Sequence, residues 1–144
     1  MKKLILPLLV MTAALGSCNM ANEDDYKNLA TDMCDCVNKN VTGLSPEVRD
    51  IYVKYAEDPN EMQTKMQEYY MNHMDAAAKD MAAMEKVGEN IDKCVEKLEK
   101  KYEDLYTSDD KKEVENKIVK ILATEKGCEL THALFTIASR EGNQ

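Results

Sequence analysis

The sequence predicts an all-α fold, a small helical bundle of about five to six helices. The composition favours it, because Ala, Met, Leu, Glu and Lys are frequent and all are good helix formers. Only 5 glycines and 3 prolines interrupt the 144 residues, and strand-like runs of Val, Ile and Thr are absent. Apolar residues also recur every three or four positions, which is the period of an amphipathic helix.

The first two helices are predicted on either side of Gly43. The first is expected over residues 23–39, where Tyr26, Leu29, Ala30, Met33 and Val37 share one face. Ser45 and Pro46 then form a pair typical of an N-cap followed by a proline in the first helical turn. They predict a short second helix.

A long helical pattern begins at Asp58 and Pro59, with Glu61 placed three residues after the cap. Its apolar face continues in nearly constant phase as far as Tyr106. An unbroken helix of that length would measure about 72 Å, which is long for a chain of this size. The sequence therefore predicts either one very long helix or, as we favour, a break or bend near Gly88.

Two further helices complete the predicted bundle. Residues 107–110, Thr-Ser-Asp-Asp, provide caps for a helix whose apolar positions are Val114, Ile118, Ile121 and Leu122. Gly127 separates it from a last helix, in which Leu130, Leu134 and Ile137 are spaced to form one face.

The N-terminal segment has the layout of an export signal. Lys2 and Lys3 precede residues 4–15, which carry no charge and are too few to span a bilayer. This segment ends in the sequence Leu-Gly-Ser-Cys at residues 15–18, which resembles the lipobox of bacterial lipoproteins. The resemblance implies that Cys18 receives a lipid on its sulfur and becomes the acylated first residue, with palmitate as the expected acyl chain.

The resemblance divides the chain into a signal peptide at 1–17, a lipidated tether at 18–25 and a helical domain at 26–144. The tether spans at most about 25 Å. The resemblance also implies that the protein is located in the cell envelope, on the outer membrane. The acidic run Asn-Glu-Asp-Asp at 22–25 resembles the surface-export signal of lipoproteins in the Bacteroidota, and it also suits a helix start capped by Asn22. Periplasmic and surface-exposed positions both stay open.

Four cysteines follow the lipidation site, and an exported chain with an even number favours disulfides. Cys34 and Cys36 point about 200° apart on a helix, so they cannot easily pair with each other. We expect them to pair with Cys94 and Cys128, in an order that the sequence leaves open. A four-thiolate zinc site and a catalytic redox pair are the alternatives, but the spacing lacks short zinc knuckles and neither cysteine lies at a helix N-terminus.

Residues 62–84 contain six of the 10 methionines and one of the 2 histidines. Thioether and imidazole groups suit Cu(I) and Ag(I), and Met71, His73 and Met74 are the candidate ligands. The alternative is that methionines fill gaps between packed helices. Most of these residues fall on the predicted apolar face, Met81 and Met84 included, whereas Met71 points the opposite way.

The sequence narrows the possible functions without selecting one. Without Lys2 and Lys3 the chain has 17 basic and 27 acidic residues, a net charge of −10, which disfavours binding to nucleic acid. It has no glycine-rich phosphate loop, no H-E-x-x-H motif and no haem-attachment motif. We therefore expect that the protein is not an enzyme and that it carries no cofactor other than the lipid on Cys18. The predicted function is a helical binding module with a membrane anchor and a possible protein partner in the envelope; the alternative is a soft-metal binder.

Overall fold

The computed structural model describes residues 22–141, and in this range the chain is all-α without any strand. Seven α-helices and one 3-10 turn follow one another in the described range: α1 (Glu23–Asn40), the 3-10 turn (Val41–Gly43), α2 (Pro46–Tyr55), α3 (Pro59–Asn72), α4 (Met74–Lys101), α5 (Glu103–Ser108), α6 (Lys111–Leu122) and α7 (Glu129–Glu141). The predicted fold class is confirmed. The helices outnumber the prediction because the long pattern after Pro59 is divided into α3, α4 and α5.

Short polar side chains start four of the helices where the sequence placed them. Asn22 caps α1 and Ser45 caps α2, each accepting a hydrogen bond from a backbone N–H of the first turn. Asp58 and Asp110 do the same for α3 and α6. These interactions join residues only two or three positions apart, which is why the sequence alone locates them. Since α1 begins at Glu23, the last three residues of the predicted 18–25 tether are helical.

The predicted break near Gly88 is wrong, because α4 runs through this residue without interruption. Gly88 is exposed, and a Cβ there would meet no atom within 4 Å, so nothing at this position forces a bend. The chain instead leaves helical geometry at His73 and at Tyr102. The turn at His73 allows α3 to pack against α2 while α4 packs along α1.

Helix α1 is the centre of the bundle, and α4, α6 and α7 pack around it. Seven of its residues are buried: Tyr26, Leu29, Ala30, Met33, Cys34, Cys36 and Val37. All of them except Val37 join Leu98 of α4, Leu105 of α5 and three residues of α6 in the larger of two apolar clusters. The smaller cluster connects the end of α1 and the 3-10 turn to Val87 of α4 and Leu130 of α7.

Both disulfides start from α1, and the predicted partners are confirmed. Cys34 is bonded to Cys128, immediately before α7, with the Cα atoms 5.3 Å apart. Cys36 is bonded to Cys94 of α4, with a Cα separation of 6.3 Å. The structure therefore decides which partner each of the two α1 cysteines takes, which the sequence left open. The two cysteines leave α1 on opposite flanks and attach it to two different neighbours.

Helices α1 and α4 run antiparallel. Asp32, Cys36 and Gly43 of the first segment meet Tyr102, Cys94 and Ala83 of the second, in reverse order. The N-terminus of α1 and the N-terminus of α4 therefore lie at opposite ends of the bundle. From Cys36 to Glu23 α1 rises about 20 Å, and from Cys94 to Met74 α4 rises about 30 Å in the other direction, so the two ends are about 50 Å apart.

Candidate functional site

The end of the bundle nearest the N-terminus, which we call the α1 end, is closed by a network around Asp109. The hydroxyl of Tyr26 donates to the Asp109 carboxylate, and Lys117 Nζ donates to it at 2.7 Å. The ammonium group of Lys117 and the Tyr26 hydroxyl hold the pKa of Asp109 below its ordinary value. Burial and the bond to Asp109 raise the pKa of Tyr26. These groups satisfy one another, and the network joins α1 to α6.

A second network of the same design holds α1 against the end of α4. Lys101 Nζ and the Tyr102 hydroxyl donate to the Asp32 carboxylate at 2.6 and 2.7 Å. The hydrogen bond from Lys101 is the main reason that the pKa of Asp32 is lowered. Both networks are made of side chains that fix helices to each other, and we assign them to the stability of the α1 end.

The opposite end, which we call the α3–α4 junction, exposes large apolar side chains. Met71 and Met74 are 73% and 77% exposed, and Met81, about two turns further along α4, is 63% exposed. Met71 points outwards as predicted. The prediction that Met81 lies on the apolar face is wrong, because the adjacent Asp80 occupies the inward direction and turns Met81 towards solvent.

Asp80 is a buried carboxylate at this junction that the sequence analysis did not identify. It is 2% exposed and accepts from the Ser45 N–H at 2.8 Å and from the Ser45 hydroxyl at 2.9 Å. The Tyr69 hydroxyl lies within 3.1 Å of the Ser45 hydroxyl and 3.4 Å of Asp80. The cluster connects α2, α3 and α4. A carboxylate at a position in phase with Ala77 and Met84 was the sequence signal that could have revealed it.

Tyrosines fill the space beneath the junction. The hydroxyls of Tyr52 and Tyr70 lie 3.8 and 3.7 Å from the Met84 sulfur, to which both donate. Burial raises the pKa of both tyrosines, and the charge of Asp80 adds to the effect at Tyr70. Met84 therefore packs between helices as predicted for a gap-filling methionine.

The candidate metal ligands Met71, His73 and Met74 are all exposed at the junction. The His73 ring packs against the ring of Tyr69, with centroids 4.9 Å apart. Among residues 22–141, no three His, Cys, Asp or Glu side chains are grouped as a metal site would require. The four cysteines are all in disulfides, so they provide no thiolate for a zinc site or a soft-metal site.

Two other predictions concern the membrane. Cys18 and the signal peptide lie outside the described residues, so lipidation stays a prediction. In the described part of the chain, no helix is both long enough and apolar enough to cross a bilayer.

Several open depressions lie on the surface of the described chain. One depression of about 650 Å³ lies between α6 and α7, and it is lined by Phe135 together with the charged residues Asp110, Lys111 and Glu115. Comparison with known proteins adds no functional assignment, because no protein family, curated protein or solved structure matches this chain.

Proposed function

We propose that this chain is a lipid-anchored lipoprotein of the outer membrane that binds a protein partner in the cell envelope and has no enzymatic role. The observation that carries the proposal is the separation of its two ends. The chain enters the bundle at Glu23, and the exposed methionines of the α3–α4 junction lie about 40 Å (Met81) to 50 Å (Met74) away along the bundle.

The position of the anchor follows from the lipobox. Only residues 19–22 separate Cys18 from α1, so a lipid on Cys18 holds Glu23 within about 18 Å of the attachment point. If the bundle stands on this short connection, the junction faces away from the bilayer. Exposed apolar side chains there are then placed to meet another protein rather than the anchoring lipids.

The chemistry of the junction also suits a protein partner. Methionine is flexible and polarisable, and it is enriched in the centre of protein interfaces. Met71, Met74 and Met81 are exposed without packing against the core, so a partner can cover them without disturbing the fold. The buried cluster of Asp80, Ser45 and Tyr69 supports this surface from below.

The anchor and the binding surface are tested separately in living cells. Labelling with an alkyne analogue of palmitate should mark the wild-type protein, and Cys18→Ala should abolish the label and release the protein from the membrane fraction. A photo-crosslinker at Met74 should then give a discrete adduct with one envelope protein, whereas the same group at Lys120, an exposed residue of α6, should not. Equal adducts at both positions, or none at Met74, would contradict a binding role for the junction.

A soft-metal binder is the second candidate, because Met71, His73 and Met74 are exposed together around the junction. Titration of the intact, disulfide-bonded chain with Cu(I) tests it. Binding tighter than about micromolar that is lost in Met71→Leu/Met74→Leu would favour this function, and weaker binding would remove it.

A further inference from the structure

A basic groove on the side of the bundle is not used by either proposed function. It lies between the C-terminal end of α1, the 3-10 turn and the middle of α4, and it has a volume of about 530 Å³. Its walls contain three lysines and no carboxylate. The lining residues include Lys39, Asn40, Thr42, Lys79, Lys86 and Asn90. This composition is unexpected in a chain whose net charge is −8.

In the described part of the chain, no carboxylate oxygen lies within 4.0 Å of the ammonium groups of the three groove lysines. Within residues 22–141, eight other basic side chains form ion pairs, including Lys93 with Glu89 and Lys101 with Asp32, and Lys39, Lys79 and Lys86 form none. Like charges placed together without carboxylates repel one another and raise the local positive potential. An anion that entered the groove would relieve this repulsion.

The positions of the three lysines set where the phosphate groups of a ligand can bind. Lys79 and Lys86 are seven residues apart on one face of α4, which is a rise of about 10 Å, and Lys39 faces them from α1. Asn40, Thr42 and Asn90 add polar groups that can bind phosphate oxygens or hydroxyls. Gly43 and Ala83 form the floor, where a Cβ on Gly43 would lie 3.4 Å from the Ala83 Cβ. These small residues keep the groove open.

We propose that this groove binds a small ligand carrying two or more phosphate groups, on which the flexible lysine side chains can converge from both walls. Lysine is a compact point charge that binds phosphate without demanding a planar geometry. A long polyanion is disfavoured, because beyond the groove it would meet the acidic remainder of the surface. The phosphates can belong to a lipid headgroup or to a soluble phosphate ester, since both present the same chemistry to the lysines.

Tripolyphosphate is the probe for the shared chemistry. The full-length protein, purified in neutral detergent, should bind it with a Kd that weakens as salt is added. Lys39→Gln/Lys79→Gln/Lys86→Gln should weaken binding about tenfold or more. The matched control is Lys97→Gln/Lys100→Gln/Lys120→Gln, which removes the same charge from exposed lysines that do not line the groove, and should change the Kd less than about twofold. Circular dichroism checks that both variants remain helical.

Competition with vesicles distinguishes the source of the phosphate. Phosphatidylcholine vesicles containing cardiolipin, whose headgroup carries two phosphates, should displace tripolyphosphate from the wild-type protein if the natural ligand is a headgroup. Phosphatidylcholine alone should not displace it. If only soluble phosphate esters displace tripolyphosphate, the natural ligand is a soluble phosphate ester. Equal affinity of the groove variant and the control variant, or no measurable binding of tripolyphosphate by the wild type, would overturn the proposal.

Discussion

The two ends of this bundle are built in different ways. Helix α1 buries seven residues and carries both disulfides, whereas α3 has no buried residue at all. Charges at the α1 end are paired around Asp32 and Asp109, whereas the α3–α4 junction presents methionines to solvent. The α1 end therefore provides the stability of the fold. The junction is free to present side chains that do not contribute to it, and this is what a binding surface requires.

The largest effect is expected from removing a disulfide of helix α1. Cys34→Ala/Cys128→Ala opens a connection between residues 94 positions apart. The cross-link restricts the unfolded chain, so its loss should lower the free energy of unfolding by about 4 kcal/mol. Urea unfolding followed by circular dichroism measures this difference.

The stability of a double variant at the junction can be compared with that of the disulfide variant. Met74→Ala/Met81→Ala also changes two residues, but both are exposed and belong to the junction. Its free energy of unfolding should stay within about 0.5 kcal/mol of the wild type. A similar loss in the two double variants would show that stability is spread evenly over the bundle.

An intermediate effect is expected at Asp80, a buried carboxylate that connects the junction to the start of α2. In Asp80→Ala the Ser45 N–H and hydroxyl lose their buried acceptor. The cost should be about 1–3 kcal/mol. Hydrogen exchange should report faster opening at the start of α2, while amides in α1 keep their protection.

Asp92→Ala is the control for Asp80, because Asp92 is exposed on the same helix. It should change stability by less than about 0.5 kcal/mol. If both variants lose the same amount, Asp80 stabilises α4 only through its charge, and its contacts with Ser45 and Tyr69 contribute nothing.

The smallest effect is expected from the Asp109 network and depends on pH. Lys117 and Tyr26 lower the pKa of Asp109 in the folded protein, so the carboxylate stabilises the fold above the ordinary Asp pKa of about 4. This contribution is lost as the pH falls through the lower, folded-state pKa. Asp109→Asn should thus reduce Tm by about 2 °C at pH 7 and by less at pH 2, as thermal unfolding at several pH values would show.

Glu125→Gln serves as the comparison for this titration, since Glu125 is exposed and no ion pair involves it in the described part of the chain. Its Tm difference from the wild type should be close to zero at both pH values. A difference for Asp109→Asn that grows on acidification would contradict the assigned sign of the pKa shift.

Much of the fold could be predicted because its signals are local. The capping side chains of Ser45, Asp58 and Asp110 accept hydrogen bonds from backbone groups two or three residues away. These helix starts can therefore be predicted from a short stretch of sequence. The candidate site was predicted less well. Met71 was placed correctly, but Asp80 was missed and Met81 was assigned to the wrong face, because apolar residues on the two faces of α4 look alike in the sequence.

By itself, the sequence determined the helical class, the four capped helix starts and the set of cysteines that could pair with Cys34 and Cys36. The tertiary structure decided which partner each cysteine takes, that the chain turns at His73 rather than Gly88, and that Asp80 is buried. The physical reason for this division is the separation along the chain between the residues that interact. Propensity and capping depend on neighbouring residues, whereas the packing of α3 on α2 and of α4 on α1 sets which side of each helix faces inwards.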